Sequence, residues 1–127
     1  MQLNHRTIGR MPVPDSVVEK FHAYVARHPG GHVVFTWHGT TKSAAVRIAR
    51  DGFRKFGDPG VVSNGGQRLG NAVYTSRRCE EAAPYDKGAT VLAIAWVVPG
   101  LMVAGGPSSW YIFRSSGALM PLCSFMS

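Results

Sequence analysis

Phe35-Thr36-Trp37-His38-Gly39-Thr40-Thr41 is the stretch on which the reading of this chain turns. The apolar run Val33-Val34-Phe35 leads into it, and residues 32–37 have the β-branched and aromatic make-up of a strand bounded by turn residues. A helical pattern leaves it. From about Thr41 or Lys42 to Asp51, Ala44, Ala45, Ile48 and Ala49 form a stripe of small apolar residues, Arg47 and Arg50 face away, and Gly52 supplies the stop. The pattern thus predicts a histidine beside a glycine where a strand ends and a polar turn begins. An imidazole there can donate or accept a hydrogen bond, and a glycine lets another group lie directly against the backbone.

Working outward toward the N-terminus, residues 1–14 read as a polar lead-in ending in Pro12-Val13-Pro14. A helix is predicted over 15–27, capped by Asp15 or Ser16, with Glu19 placed for a capping box with Ser16. Val17, Val18, Phe21, Tyr24 and Val25 share its buried face, Pro29-Gly30-Gly31 ends it, and His22 and His28 fall on its surface. Toward the C-terminus, residues 55–69 carry Gly57, Pro59, Gly60, Gly65 and Gly66 and read as a long loop, a length that in compact domains usually serves function or motion. A short strand is expected at 72–75 and a helical turn or two at 77–83, closed by Pro84-Tyr85. Residues 89–98 form the strongest strand; lacking any charge, it should be central and covered on both faces. Further strands are expected at 101–103, 110–113 and 118–123. Helices early and strands late imply an α+β domain, a mainly antiparallel sheet flanked by a few helices over residues 15–127.

Composition sets outer bounds. The chain has 127 residues, enough for one core, and its 45% hydrophobic content argues against disorder. Fifteen glycines and eight prolines favour short elements over a helical bundle. Cys79 and Cys123 have neither CxxC nor zinc-ligand spacing, so free thiols and no metal are expected. Residues 1–10 lack an apolar signal core, and the apolar run at 89–98 is too short to span a bilayer. The expectation is a soluble intracellular monomer, cytoplasmic or nuclear, with no membrane partner. The net charge of +7 favours encounters with polyanions. Between residues 52 and 78, Arg54, Lys55, Arg68, Arg77 and Arg78 stand against one acid, Asp58. No phosphate-binding loop, glycine-rich dinucleotide fingerprint or nucleophile elbow occurs.

Order and spacing carry the functional signal. Trp37-His38-Gly39-Thr40, the helix end Ile48-Ala49-Arg50-Asp51-Gly52-Phe53-Arg54, then Gly70-Asn71-Ala72-Val73-Tyr74-Thr75 and, eleven positions after Tyr74, Tyr85, together resemble the catalytic domain of the poly(ADP-ribose) polymerase family. Trp110-Tyr111-Ile112-Phe113, with Pro121 downstream, resembles that family's last strands. The resemblance runs from about Val33 to Phe125 and is most specific from His38 to Tyr85. It implies a compact ADP-ribosyltransferase fold with a split sheet, and NAD as co-substrate without a metal.

The implied roles attach residue by residue. His38 would hydrogen-bond a ribose hydroxyl on the adenosine side of NAD, and Gly39 would offer its backbone to the nicotinamide carboxamide. Tyr74 and Tyr85 would sandwich the nicotinamide ring, a contact worth about 0.5–1.5 kcal/mol beyond burial. Trp37 and Thr40 would support the pocket, and Arg68 would join the NAD-binding set. Three positions depart from the pattern. Ala72 replaces a glycine, and Ala82 replaces a serine that meets the carboxamide. Ser109 stands where the polymerases place a glutamate, and no Asp or Glu follows Asp86. The catalytic set that the resemblance implies is His38, Tyr74 and Ser109, with Glu80 or Glu81 able to substitute only if their helix faces the cleft. A His-Tyr-Ser site implies mono-ADP-ribosyl transfer, with release of nicotinamide, to a protein or nucleic-acid acceptor such as a phosphorylated nucleic-acid end. The alternative is a catalytically silent module that binds NAD, ADP-ribose or nucleic acid.

Overall fold

The structure, a computed structural model, describes residues 7–54, 72–104 and 106–126. It is an α+β arrangement of one six-stranded sheet and three α-helices. The strands are β1 (Thr7–Arg10), β2 (His32–Thr41), β3 (Val73–Ser76), β4 (Gly88–Val97), β5 (Trp110–Phe113) and β6 (Leu119–Met126). Their order is β1-β6-β4-β2-β3-β5, and every paired neighbour is antiparallel. The helices are α1 (Asp15–Arg27), α2 (Lys42–Asp51) and α3 (Cys79–Ala82), the last continued by a 3-10 turn over Ala83–Tyr85. Among the described residues no helix is long and apolar enough to cross a membrane.

β4 is central, as its uncharged sequence predicts, and pairs with β2 over the full ten residues of each strand. Its faces differ. Ala89, Val91, Ala93, Ala95 and Val97 are buried against the helix side, where Ala45 and Ile48 of α2 and Tyr24 of α1 complete the core. The other face, carrying Leu92, Ile94 and Trp96, is only half-buried, and its neighbours Val33 and Phe35 on β2 are exposed. The expectation of cover on both faces fails because both long helices pack on one side.

Three boundaries also shift. The lead-in contributes β1, which pairs with β6 from Thr7↔Met126 to Arg10↔Cys123, and Met11 behind it enters the core. The capping box at Ser16 does not form; Pro14 occupies the cap in extended backbone, and its carbonyl accepts from the Val17 and Val18 N–H groups at 3.0 and 3.3 Å. The strand expected at 101–103 is a 3-10 turn, Pro99–Leu101, followed by a single bridge from Met102 to Phe113. α2 behaves as read: Thr41 Oγ1 accepts from the Ala44 N–H at 3.1 Å, and Gly52, at φ 81°, closes the helix with an N–H to the Ile48 carbonyl at 2.8 Å. That positive φ suits glycine alone.

The sheet nearly divides between β2 and β3. Trp37↔Ser76 is their one register pair, so β1, β6, β4 and β2 form one body and β3 with β5 another. Side chains hold the seam. The buried Thr36 hydroxyl donates to Thr75 Oγ1, and Thr75 donates on to the Tyr111 carbonyl at 2.8 Å, which ties three strands together.

Candidate active site

The thin seam positions the site. β2 runs on past Trp37 to Thr41, because β4 pairs with it all the way, so His38, Gly39 and Thr40 lie inside the strand and not in the turn the sequence suggests. Opposite them β3 supplies Val73, Tyr74 and Thr75, yet no ladder pair joins these to β2. An antiparallel strand alternates its N–H and C=O groups between its two edges. Part of the His38–Thr40 backbone therefore faces this gap.

His38 bridges the gap instead. Its Nδ1 lies 2.8 Å from the Tyr74 carbonyl oxygen. A carbonyl only accepts, so Nδ1 carries the proton and Nε2 is left as an acceptor. The ring is half-buried and meets Phe53 edge-on at 5.4 Å, with Phe53 itself 2% exposed. Desolvation lowers the His38 pKa from its ordinary 6.5, and the hydrogen bond to Tyr74 opposes this only in part. The imidazole is thus neutral at physiological pH.

Strand alternation sends the Tyr74 ring to the face opposite Val73 and Thr75, which are buried in the core. There it meets Trp110 edge-on at 6.4 Å. Tyr85, at the end of the 3-10 turn, reaches the same indole at 5.9 Å. The two tyrosines separated by eleven positions thus converge on one tryptophan that the sequence reading left outside the site. Its signal was available in the strand Trp110-Tyr111-Ile112-Phe113, but register pairing is needed to set Trp110 across from Ser76.

Gly39 has a role the sequence could not supply. A Cβ there would fall against the Ala82 carbonyl oxygen, and within 2.8 Å of backbone atoms of Tyr85 and Asp86. The missing side chain lets the α3 turn sit on β2 and fixes Tyr85 beside the gap. The turn is tied down again by Asp86, whose carboxylate accepts from the Gly88 N–H at 2.9 Å and from the Thr90 hydroxyl. Ala82, 5% exposed, packs into this contact.

Trp37 does not back His38. Adjacent strand residues point to opposite faces, and the Trp37 ring packs on Phe125 at 5.6 Å. Thr40 is buried on the His38 side, and its carbonyl accepts from the Lys87 N–H at 2.9 Å. Arg68 and Lys55 lie outside the described residues.

Ser109, 9% exposed, precedes Trp110, and its carbonyl accepts from the Arg77 N–H at 3.0 Å. Its hydroxyl donates to Glu81 Oε2. Arg78 Nε stands 3.8 Å from the other Glu81 oxygen. Glu80 faces outward, 3.8 Å from Arg78. A groove of about 310 Å³ lies elsewhere, between α2 and the β1–β6 edge, and includes none of these residues. Among the described residues no group of three or more His, Cys, Asp or Glu could hold a metal ion. Compared with known proteins, the chain matches no protein-family model and no curated sequence at a significant level.

Proposed function

We propose that this chain is an NAD-dependent mono-ADP-ribosyltransferase of the compact ADP-ribosyltransferase fold. The observation that carries the reading is the convergence of Tyr74 and Tyr85 on Trp110 beside a gap in the sheet that neutral His38 spans. His38 Nε2 accepts from a ribose hydroxyl of NAD, the His38–Thr40 strand edge meets the carboxamide, and the aromatic cluster packs the nicotinamide ring. These groups suit a ligand that is part sugar and part aromatic amide. NAD is the substrate that gives up ADP-ribose, the acceptor is a protein or nucleic acid, and nicotinamide leaves.

Calorimetry with NAD and a nicotinamide-release assay test this together. Wild type binds NAD and releases nicotinamide, and His38→Ala or Tyr74→Ala weakens binding at least tenfold, roughly 1.4 kcal/mol. Unchanged binding in both variants rejects the site. Ala82, which brings no hydroxyl to the carboxamide, favours a second reading, a module that binds NAD without turning it over. Binding with no nicotinamide released over hours identifies that case.

A further inference from the structure

The last strands of this chain contain no carboxylate, yet the structure delivers one to them from another element. Glu81 sits on α3, four residues before Tyr85, and Oε2 takes the hydrogen bond of the Ser109 hydroxyl across 28 positions of sequence. Its side chain is 30% exposed, against 57% for Glu80. Ser109 is fixed from both sides, by Arg77 at its carbonyl and by Glu81 at its hydroxyl, and the next residue is the Trp110 that gathers both tyrosines. A serine hydroxyl has one hydrogen and two lone pairs. With the hydrogen committed to Glu81, the Oγ of the largely buried Ser109 keeps lone pairs able to accept a further hydrogen bond, with the Glu81 carboxylate behind it.

We propose that Ser109 and Glu81 act as a relay in place of a strand glutamate: Ser109 Oγ accepts from the 2′-hydroxyl of the nicotinamide ribose, and Glu81 stabilises the positive charge that develops on that ribose. The proposal rests on the NAD reading above. In the step it serves, the bond from ribose C1′ to the pyridinium nitrogen breaks, and its electron pair departs with neutral nicotinamide. The positive charge passes to C1′ and the ring oxygen. An acceptor hydroxyl, or water, then bonds to C1′ through oxygen and releases its proton to solvent. A fixed negative charge near a developing cation acts most strongly in the transition state, so it raises kcat and leaves substrate affinity nearly unchanged.

Nicotinamide release measured over a range of NAD concentrations, with calorimetric Kd beside it, tests the relay. Glu81→Gln, which keeps size and a hydrogen-bond acceptor, lowers kcat by about 10²–10³ with KM and Kd within about twofold. Ser109→Ala, which removes the hydroxyl between ribose and carboxylate, lowers kcat by about tenfold. Glu80→Gln behaves as wild type. The double variant Glu81→Gln/Ser109→Glu, which moves the carboxylate onto the strand, regains at least about tenfold over Glu81→Gln, a recovery a merely structural tie between α3 and β5 would not give. If wild type turns over NAD and Glu81→Gln keeps its kcat, the relay is wrong and the NAD reading stands. If wild type binds NAD but never releases nicotinamide, the relay fails and only binding survives. If wild type binds no NAD, the reading itself fails and the relay with it.

Discussion

His38 shows how one residue takes its chemistry from its surroundings. Held by the Tyr74 carbonyl and packed against Phe53, it stays neutral, with Nε2 as its acceptor nitrogen. Its lowered pKa has a consequence for stability. Above about pH 6.5 the ring is neutral in both folded and unfolded chains and contributes no pH dependence. As pH falls below 6.5 the unfolded chain takes up the proton first, so it binds more protons than the folded one and stability drops. The fall continues until pH reaches the lowered folded-state pKa and then levels. Thermal melts from pH 7.5 down to 5 should show this decline in the wild type and a shallower one in His38→Gln. An equal slope in both would place the ring in water, contrary to its contacts.

At the scale of elements, the decisive contact is α3 on β2. α3 is one turn long, too short to be stable alone, so its place comes from Gly39 beneath it and from Asp86 and Arg77 at its ends. Gly39→Ala pushes a methyl group into the Ala82–Asp86 backbone, and overpacking of this kind costs about 1–3 kcal/mol. The expected result is a lower urea midpoint with the m-value unchanged, accompanied by a change in Tyr85 fluorescence or NMR shift as the turn lifts from Trp110. A Gly39→Ala variant with the wild-type midpoint would mean that the turn has slack the packing does not show. The strand itself was half legible: Val33 to Trp37 reads as β from composition, but its continuation to Thr41 depends on pairing with β4. No local signal could have announced it, since glycine and threonine before a helix also fit a turn.

Over the whole molecule, the two faces of the sheet are covered unequally. Both long helices cover the alanine side of β4, while Ile8, Val33 and Phe35 stand exposed on the other, with 54–66% of their surface in solvent. Substitutions should follow that asymmetry. Phe35→Ser should shift stability by no more than about 0.5 kcal/mol, as exposed positions do. Ala93→Leu, at a position with no exposed surface, should cost about 1–3 kcal/mol by overpacking the core. Denaturant titration of the pair checks this, and a Phe35→Ser loss as large as the Ala93→Leu loss would mean that something covers the more exposed face.

From residues alone came the α+β class, the register of α1 and α2, the central place of β4, and the His38, Tyr74 and Tyr85 spacing, because periodicity, caps and uncharged runs are local properties. Three things depended on the fold. The seam between β2 and β3 arises from long-range pairing that stops after Trp37↔Ser76. Trp110 joins Tyr74 and Tyr85 only once β5 pairs with β3. Glu81 meets Ser109 only because Gly39 lets α3 lie flat on β2. A carboxylate that sequence order leaves far from the last strands is brought to them by packing, since hydrogen bonds join atoms that are near in space whatever their distance along the chain.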